Sequence, residues 1–103
     1  MYNINIGEIT FEWDAQKNTI NIKKHGISFE EAATVFYDDE ALLFDDPDHS
    51  IEENRFLILG VSQTEMLCIV SHCYKDSEDR IRIISARKAD KEEKEVYNEQ
   101  FLR

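Results

Sequence analysis

The chain has 103 residues, a length typical of one domain with a single core. Hydrophobic residues make up 42% of it and charged residues 33%, which indicates a globular fold with a strongly solvated surface. No apolar stretch approaches the roughly 20 residues that span a bilayer, and the N-terminus lacks the basic start and apolar core of a signal peptide. We therefore expect one cytoplasmic domain over residues 1–103, with no membrane segment.

The net charge of −10 is unevenly distributed. Residues 38–53 contain eight acidic residues and no basic one, so this segment carries most of the excess. In contrast, five basic residues fall between positions 75 and 88: Lys75, Arg80, Arg82, Arg87 and Lys88. The whole-chain charge argues against general attraction to phosphate, but a local basic patch is compatible with it.

The two cysteines, Cys68 and Cys73, do not form a disulfide framework. Five positions apart on an extended segment, they point to opposite faces of a strand, and we expect free, partly buried thiols. The chain has no Cys-x-x-Cys or His-x-His pair, so its spacing does not favour zinc.

A calcium loop is also excluded, although Asp46, Asp48 and Ser50 superficially resemble one. Ile51 stands where the turn needs glycine, and Leu57 stands where a bidentate glutamate is needed. We expect neither a metal nor another cofactor.

The first elements are an N-terminal hairpin and a helix. Apolar residues alternate over 2–6 and again over 9–13, and Gly7-Glu8 between them suits a two-residue turn. Asp14 is a candidate N-cap for a helix that ends at His25, since Gly26 can adopt the left-handed C-cap conformation.

A second helix is predicted over about 28–38. Ser28 and Glu31 match a capping box, and Phe29, Ala32 and Phe36 recur at helical spacing. These residues predict a helix with one buried face.

The hydrophobic period then changes from that of a helix to that of a strand. Four extended runs follow, at 41–44, 56–61, 66–74 and 81–86, with short turns that predict an antiparallel meander. Asp90 and Glu93 predict the cap of a final helix. The predicted fold is α+β: two N-terminal helices packed on a four-stranded antiparallel sheet, with a C-terminal helix and a possible extra N-terminal hairpin.

Four separated motifs occur along the chain: Phe11-Glu12-Trp13-Asp14, the stretch from Lys24-His25-Gly26 to Ala32, His49-Ser50 followed by Arg55-Phe56, and the stretch from Arg82 to Ala89. In these residues and in their order they resemble the BrnT family of type II toxins. The resemblance covers about residues 11–89.

This resemblance implies a RelE-like fold and a metal-independent endoribonuclease activity that arrests translation. It also implies a protein partner, a BrnA-like antitoxin that neutralises the toxin and whose DNA-binding part represses the shared operon. Operator DNA would then be contacted only through the antitoxin.

Metal-free RNA cleavage needs a base for the 2′-hydroxyl, cations for the phosphorane and an acid for the leaving 5′-oxygen. Histidine suits the proton transfers, so His25 and His72 are the candidates. Each also has a structural interpretation, His25 as a helix-terminal cation and His72 as a core residue. His49, in the acidic segment, fits a solvated turn better.

The strand register decides which face carries His72. If Lys75 pairs with Arg80, then His72 and Tyr74 share a face with isoleucines and two cations oppose each other. If Asp76 pairs with Arg80 instead, His72 and Tyr74 lie with Arg80 and Arg82 on an open face. We expect the second register, with this face opposite the two N-terminal helices.

The remaining site residues are cationic or aromatic. We expect Arg82 and Arg87 on the phosphate and Tyr74 orienting either a histidine or an arginine. Lys24, Arg80 and Lys88 are candidates for binding the rest of the RNA. The arginines have a structural alternative as surface or antitoxin-facing ion pairs, and Lys88 as a solvated side chain.

Two functions stay open at this point: an RNA-cleaving toxin, or a catalytically degenerate module that only engages the antitoxin and supports operon autorepression. The acidic segment 38–53 has two interpretations as well. It is either a solvated edge strand and loop or a docking surface for a basic antitoxin segment.

Overall fold

The computed structural model of the chain describes residues 2–6, 8–47 and 54–102. The helices are α1 (Ala15–His25), α2 (Phe29–Thr34), a short 3-10 helix (Val35–Tyr37) and α3 (Lys91–Glu99). The strands are β1 (Tyr2–Ile6), β2 (Ile9–Trp13), β3 (Leu42–Asp45), β4 (Arg55–Val61), β5 (Leu67–Lys75) and β6 (Ser77–Lys88). His49 and the rest of segment 48–53 lie outside the described residues.

Helix α1 has the predicted start and end. The Asp14 carboxylate accepts hydrogen bonds from the backbone N–H groups of Gln16 and Lys17, at 2.8 and 3.2 Å. Gly26 closes the helix at φ 72°, a left-handed conformation that glycine adopts without the steric cost of a Cβ. His25 is therefore fixed as the last helical residue.

Helix α2 is shorter than predicted and continues into the 3-10 helix. Ser28 Oγ accepts a hydrogen bond from the Glu31 backbone N–H at 3.1 Å, which is half of the expected capping box. The Glu31 carboxylate accepts instead from the hydroxyls of Ser62 and Thr64, at 2.8 and 2.5 Å. This glutamate thus ties α2 to the β4–β5 turn rather than closing its own cap.

The described strands form one six-stranded sheet in the order β1-β2-β6-β5-β4-β3. The predicted antiparallel meander of β3 to β6 is present, but the prediction of four strands is wrong. The N-terminal hairpin joins the sheet, and β2 runs parallel to β6 with Phe11 opposite Ile81. The sheet is therefore mixed, because β2, which precedes the helices in the chain, pairs in parallel with the last strand, β6.

Two cores lie on opposite faces of the sheet. On the inner face, α2 packs Phe29 and Ala32 against residues that include Phe11 and Ile83. On the outer face, Tyr97 of α3 packs with a smaller cluster that includes Leu59, Ile69 and Ala89. Helix α3 covers only part of the outer face, and the remainder carries the polar residues described below.

Asp38 joins α3 to the sheet. Its Oδ2 accepts hydrogen bonds from the Tyr97 hydroxyl at 2.6 Å and from the Val61 backbone N–H at 2.9 Å. A Cβ on Gly60 would lie 3.0 Å from that same oxygen and 2.9 Å from the Cβ of Ala41. Position 60 therefore needs glycine because Asp38 and the chain around it cross the strand at close range.

The β5–β6 register differs from the expected one. Tyr74 lies opposite Ile81 and His72 opposite Ile83, as in the register that we disfavoured, and a bulge then restores the expected pairing from Ser71 opposite Ser85 onwards. A second shift places Lys75 opposite Ser77, so the two cations that argued against this register do not meet. The bulge lets both ends of the hairpin bury their apolar residues.

Candidate active site

A cleft on the outer face brings His25 next to Arg87. It has a volume of about 90 Å³, and its lining consists of His25, Leu57, Ile69, Ser71, Ser85, Ala86 and Arg87. A second cleft of about 180 Å³ shares His25 and Ser85 with the first and adds two lysines, Lys17 and Lys24. The linings of the two clefts therefore combine one imidazole with two hydroxyls, a guanidinium and two ammonium groups.

Asn21 positions the end of α1 that carries His25. Its side-chain amide donates to the carbonyls of Ala86 and Ile27, at 2.8 and 2.9 Å. Its Oδ1 accepts from the Ala86 backbone N–H at 3.1 Å. Because β2 pairs only with residues 80–82 of β6, this buried amide replaces a neighbouring strand at Ala86. The last turn of α1 is thereby fixed beside the cleft.

Arg87 is held at the cleft by the first turn of α3. Its guanidinium donates to both carboxylate oxygens of Glu93, at 2.8 and 2.9 Å. Glu93 also accepts from the Asp90 backbone N–H at 2.9 Å, completing the predicted capping box. The hydrogen bonds with Arg87 lower the pKa of Glu93 and raise that of Arg87, so both groups are charged.

Arg80 and Arg82 lie further along the same face, where both bind Glu12 of β2. Arg80 Nε donates to one carboxylate oxygen at 2.7 Å, and Arg82 donates to the other from Nε at 2.9 Å and from Nη2 at 2.6 Å. Glu12 is 2% exposed, whereas the arginine side chains are 48% and 36% exposed. Burial raises the pKa of Glu12, but the hydrogen bonds from the two arginines outweigh this effect and hold the pKa below its usual value. The trio carries one net positive charge.

His72 does not lie on this face, so the prediction of its location is wrong. It is fully buried on the inner face, with its ring centroid 4.7 Å from that of Phe36. Nδ1 lies 3.1 Å from the Val70 carbonyl, and Nε2 has no hydrogen-bond partner among the described residues. Burial lowers the pKa of His72 to about 4, so this histidine is neutral near pH 7 and has no route to a substrate.

Tyr74 lies on the inner face of the sheet with His72, and not on the outer face with the arginines. It is partly buried against the inner core, with ring centroids 5.4 Å from His72 and 5.3 Å from Phe56. The reason is the alternation along β5, which places both residues on the inner face with Cys68 and Val70, whereas the bulge in β6 keeps the arginines on the outer face. The expectation of Tyr74 beside Arg82 is therefore wrong.

Apart from His72 and Tyr74, which lie at the inner core, the predicted site residues fall into three groups. His25 and Arg87 share one cleft, and Lys24 lines the cleft next to it. Arg80 and Arg82 lie on the same face but are bound to Glu12, and Lys88 is exposed without lining either cleft.

Sequence reasoning missed Asn21, Lys17, Ser71 and Ser85. Ser71 and Ser85 carried a usable signal, because each is a small polar residue that directly follows an apolar stretch of its strand, Leu67–Val70 or Ile83–Ile84. Asn21 carried a weaker one, since it is polar between Ile20 and Ile22 and yet is the buried member of that stretch.

Over the described part of the chain, no three His, Cys, Asp or Glu side chains cluster closely enough to hold a metal ion. Both cysteines there are free and buried, and burial raises the pKa of Cys68 to about 11. None of the described helices is long and apolar enough to cross a membrane.

Comparison with known proteins decides the family. The family model described as the ribonuclease toxin BrnT of type II toxin-antitoxin systems matches residues 13–93. The chain belongs to the BrnT family. The match includes α1, α2, β3 to β6 and the Arg87–Glu93 pair, whereas Glu12 and the N-terminal hairpin up to it lie outside it.

A solved BrnT structure agrees with this family fold. The crystal structure of the Brucella abortus ribonuclease toxin BrnT has a TM-score of 0.60 and 22% sequence identity to this chain, and the match covers 79% of this chain and 96% of the other. At this identity the likeness speaks for the fold alone. A search of curated protein sequences finds no match to the chain.

Proposed function

We propose that this BrnT-family chain is a metal-independent endoribonuclease that arrests translation in the cytoplasm until a BrnA-like antitoxin neutralises it. The observation that carries the proposal is the outer-face cleft, where His25 lies with Arg87, Ser71 and Ser85. A proton-transfer group beside a fixed guanidinium is the minimum that RNA transesterification needs.

In the proposed reaction, His25 takes the proton of a 2′-hydroxyl, whose oxygen attacks the adjacent phosphorus. The bond from phosphorus to the 5′-oxygen breaks, which leaves a 2′,3′-cyclic phosphate on one fragment and a 5′-hydroxyl on the other. Because the cleft is open, water can supply the proton to the departing oxygen. The imidazolium of His25 then gives its proton to the hydroxide that remains, which restores the histidine and the water without an added cofactor.

Arg87 is the proposed phosphate ligand. Its bond to Glu93 uses two of the five guanidinium N–H groups, and the Lys88 carbonyl accepts a third at 3.3 Å. The remaining N–H groups are available to a phosphate oxygen, and the carboxylate fixes the plane of the guanidinium. Glu93 therefore acts as a positioning residue for Arg87.

The flanking cations extend the proposed RNA path in two directions. Lys17 and Lys24 line the cleft next to His25, and Arg80 and Arg82 lie along β6 on the same face. Contacts of this kind bind phosphates without reading sequence. We assign Lys24, Arg80 and Arg82 to backbone binding, and we assign no role to His72, Tyr74 or Lys88.

The test is cleavage of a defined RNA by the purified toxin, free of antitoxin, in excess EDTA. We expect His25→Gln to lower the cleavage rate by about 10²–10⁴-fold and Arg87→Gln by about 10²–10³-fold. His72→Leu is the matched control, because it removes a histidine that the cleft does not contain, and it should cleave at the wild-type rate. Equal rates for wild type and His25→Gln would contradict the assignment.

A second function, a degenerate module that binds only the antitoxin, is favoured by one observation. Arg80, Arg82 and Arg87 are all bound to carboxylates in a chain of net charge −10. Such a module would bind its antitoxin yet leave RNA intact under every condition of the assay. Growth arrest that disappears in Arg87→Ala, at equal expression, would reject it.

A further inference from the structure

Strand β3 forms one edge of the sheet, with β4 on one side and no strand on the other among the described residues. The Asp46 backbone N–H donates to the Arg55 carbonyl at 3.0 Å, in the same register that pairs Phe44 with Leu57. Hydrogen-bonded pairs alternate along an antiparallel ladder, so Leu43 and Asp45 direct their N–H and C=O groups away from β4. These groups can pair with another strand.

The side chains of this edge are unusually apolar for an exposed strand. Leu43 is 55% exposed and Phe44 is 40% exposed, and because they are consecutive they point to opposite faces of the sheet. An exposed apolar edge is a template for strand addition, which proteins ordinarily block with charges, bulges or a covering element. β3 has apolar side chains on both faces of its open edge.

The charges around β3 determine what can occupy it. Asp39, Glu40 and Asp45 are exposed at its two ends, and no lysine or arginine occurs between positions 38 and 53. A second copy of the chain would bring a like set of carboxylates against these and be repelled. A segment with basic residues among apolar ones would be attracted, so charge complementarity selects a different protein.

We propose that the open edge of β3 is the docking site for an extended, basic and apolar segment of the antitoxin. The segment adds as a further strand, paired through the main chain of Leu43 and Asp45, with apolar side chains against Leu43 and Phe44. The identity of this partner rests on the proposed function. The strand that carries Arg87, β6, is three strand spacings from this edge, about 14 Å, which exceeds the Debye length of about 8 Å at physiological salt. A phosphate bound by Arg87 is therefore largely screened from the acidic edge, while the cleft itself extends to Leu57 of β4, one strand from β3.

Leu43→Pro tests the main-chain pairing. Proline removes the outward N–H of residue 43 but none of the hydrogen bonds to β4, so an edge strand tolerates it there. The probe is the protein encoded by the reading frame adjacent to the toxin gene, purified alone and titrated onto the toxin. We expect Leu43→Pro to weaken binding about tenfold and Leu43→Ala, which keeps the N–H, to weaken it about threefold at most. Equal binding by the proline variant and the wild type would overturn the inference.

The charges are tested by association kinetics. Asp39→Asn, Glu40→Gln and Asp45→Asn combined should slow antitoxin association about tenfold at low salt and flatten its salt dependence, with RNA cleavage unchanged. The matched control neutralises three exposed acidic residues of α3 instead, Glu92, Glu95 and Glu99. Equal slowing in both triple variants would show a general charge effect and would contradict docking at β3.

Hydrogen exchange on the unaltered chain decides the question if Leu43→Pro does not fold. The amides of Leu43 and Asp45 should exchange quickly in the free toxin and at least tenfold more slowly in the complex. Unchanged exchange in a complex that forms overturns docking at this edge and leaves the proposed function intact. If the wild-type toxin forms no complex at all, the assignment of this protein as the partner is rejected as well. The RNA cleavage assay then tests the proposed endoribonuclease activity independently.

Discussion

His25 and His72 differ in environment far more than their sequence neighbourhoods suggest. His25 ends a helix at the mouth of a cleft, whereas His72 is surrounded by Phe36, Phe56 and Tyr74. A buried imidazole stays neutral because the surrounding apolar side chains cannot solvate its charged form. The same residue type thus borders a cleft in one place, where we propose a role in proton transfer, and fills a core in the other.

The burial of His72 predicts a loss of stability in acid. Its pKa falls from 6.5 to about 4 on folding, so between these pH values the imidazole is mostly protonated in the unfolded chain and mostly neutral in the folded chain. The free energy of unfolding should therefore fall by about 3 kcal/mol between pH 6.5 and 4 from this residue alone. This contribution is absent in His72→Phe. As the pH falls from 6.5 to 4, the variant should therefore become more stable relative to wild type, as measured by urea unfolding at several pH values. Parallel pH profiles for the two proteins would contradict the prediction.

The contacts of Glu12 with the two arginines predict that its substitution lowers the stability of the fold. In Glu12→Gln the amide cannot hold both Arg80 and Arg82, yet their half-exposed guanidinium groups can be rehydrated. We therefore expect a loss of about 1–2 kcal/mol, below the cost of breaking a fully buried ion pair. Glu8→Gln makes the same charge change at an exposed position and should lie within about 0.5 kcal/mol of wild type. Equal chemical denaturation midpoints for the two variants would show that the contacts of Glu12 with Arg80 and Arg82 do not stabilise the fold.

Helix α1 is attached to the sheet through hydrogen bonds from one side chain to the main chain of β6. A single side chain, Asn21, satisfies the N–H and C=O of Ala86 where β2 no longer covers β6. Buried backbone groups need such partners, and the helix that supplies them also carries His25. The same helix therefore satisfies the open main-chain groups of Ala86 and positions His25 at the cleft.

Asn21→Leu should detach the end of α1 from β6. It leaves both backbone groups of Ala86 unpaired, at a cost of about 2–3 kcal/mol, and RNA cleavage should fall because His25 loses its fixed position. Faster hydrogen exchange at the Ala86 amide would distinguish this local effect from general destabilisation. Gln16→Leu, at an exposed position of the same helix, is the control. An unchanged exchange rate at Ala86 would show that the amide bridge is not what holds α1.

For the whole molecule, the decisive property is the separation of charge. Residues 38–53 carry most of the negative excess, while the candidate cations lie around the clefts and along β6. An acidic protein can bind RNA only if a few cations act locally, which limits the number of phosphates that it neutralises.

This limit predicts a modest salt dependence of RNA binding. With Lys17, Lys24, Arg80, Arg82 and Arg87 as contacts, the slope of log K against log salt should be about −3.5 for a single strand. Fluorescence anisotropy with inactive His25→Gln and a short RNA measures it. Lys17→Gln with Lys24→Gln should reduce the slope by about 1.4, whereas Lys91→Gln with Lys94→Gln, on α3, should leave it unchanged. A slope near zero would exclude phosphate binding by this face.

The sequence by itself determined the elements and the family. Asp14 and Gly26 bound α1, Asp90 and Glu93 cap α3, and alternation located the strands to within a few residues in all but β6. These features depend on groups two to five residues apart, which the sequence displays directly. The family motifs were likewise visible as short stretches, and the family model later matched residues 13–93.

The tertiary structure decided which residues meet. Alternation along β5 places His72 and Tyr74 on the core face with Cys68 and Val70, and a one-residue bulge in β6 keeps Arg82 on the opposite face. Glu12 meets Arg80 and Arg82 across 68 and 70 residues, and Asn21 meets Ala86 across 65. Such pairings depend on the packing of all elements at once, so no local pattern specifies them. The cleft that joins His25 to Arg87 is a product of that packing.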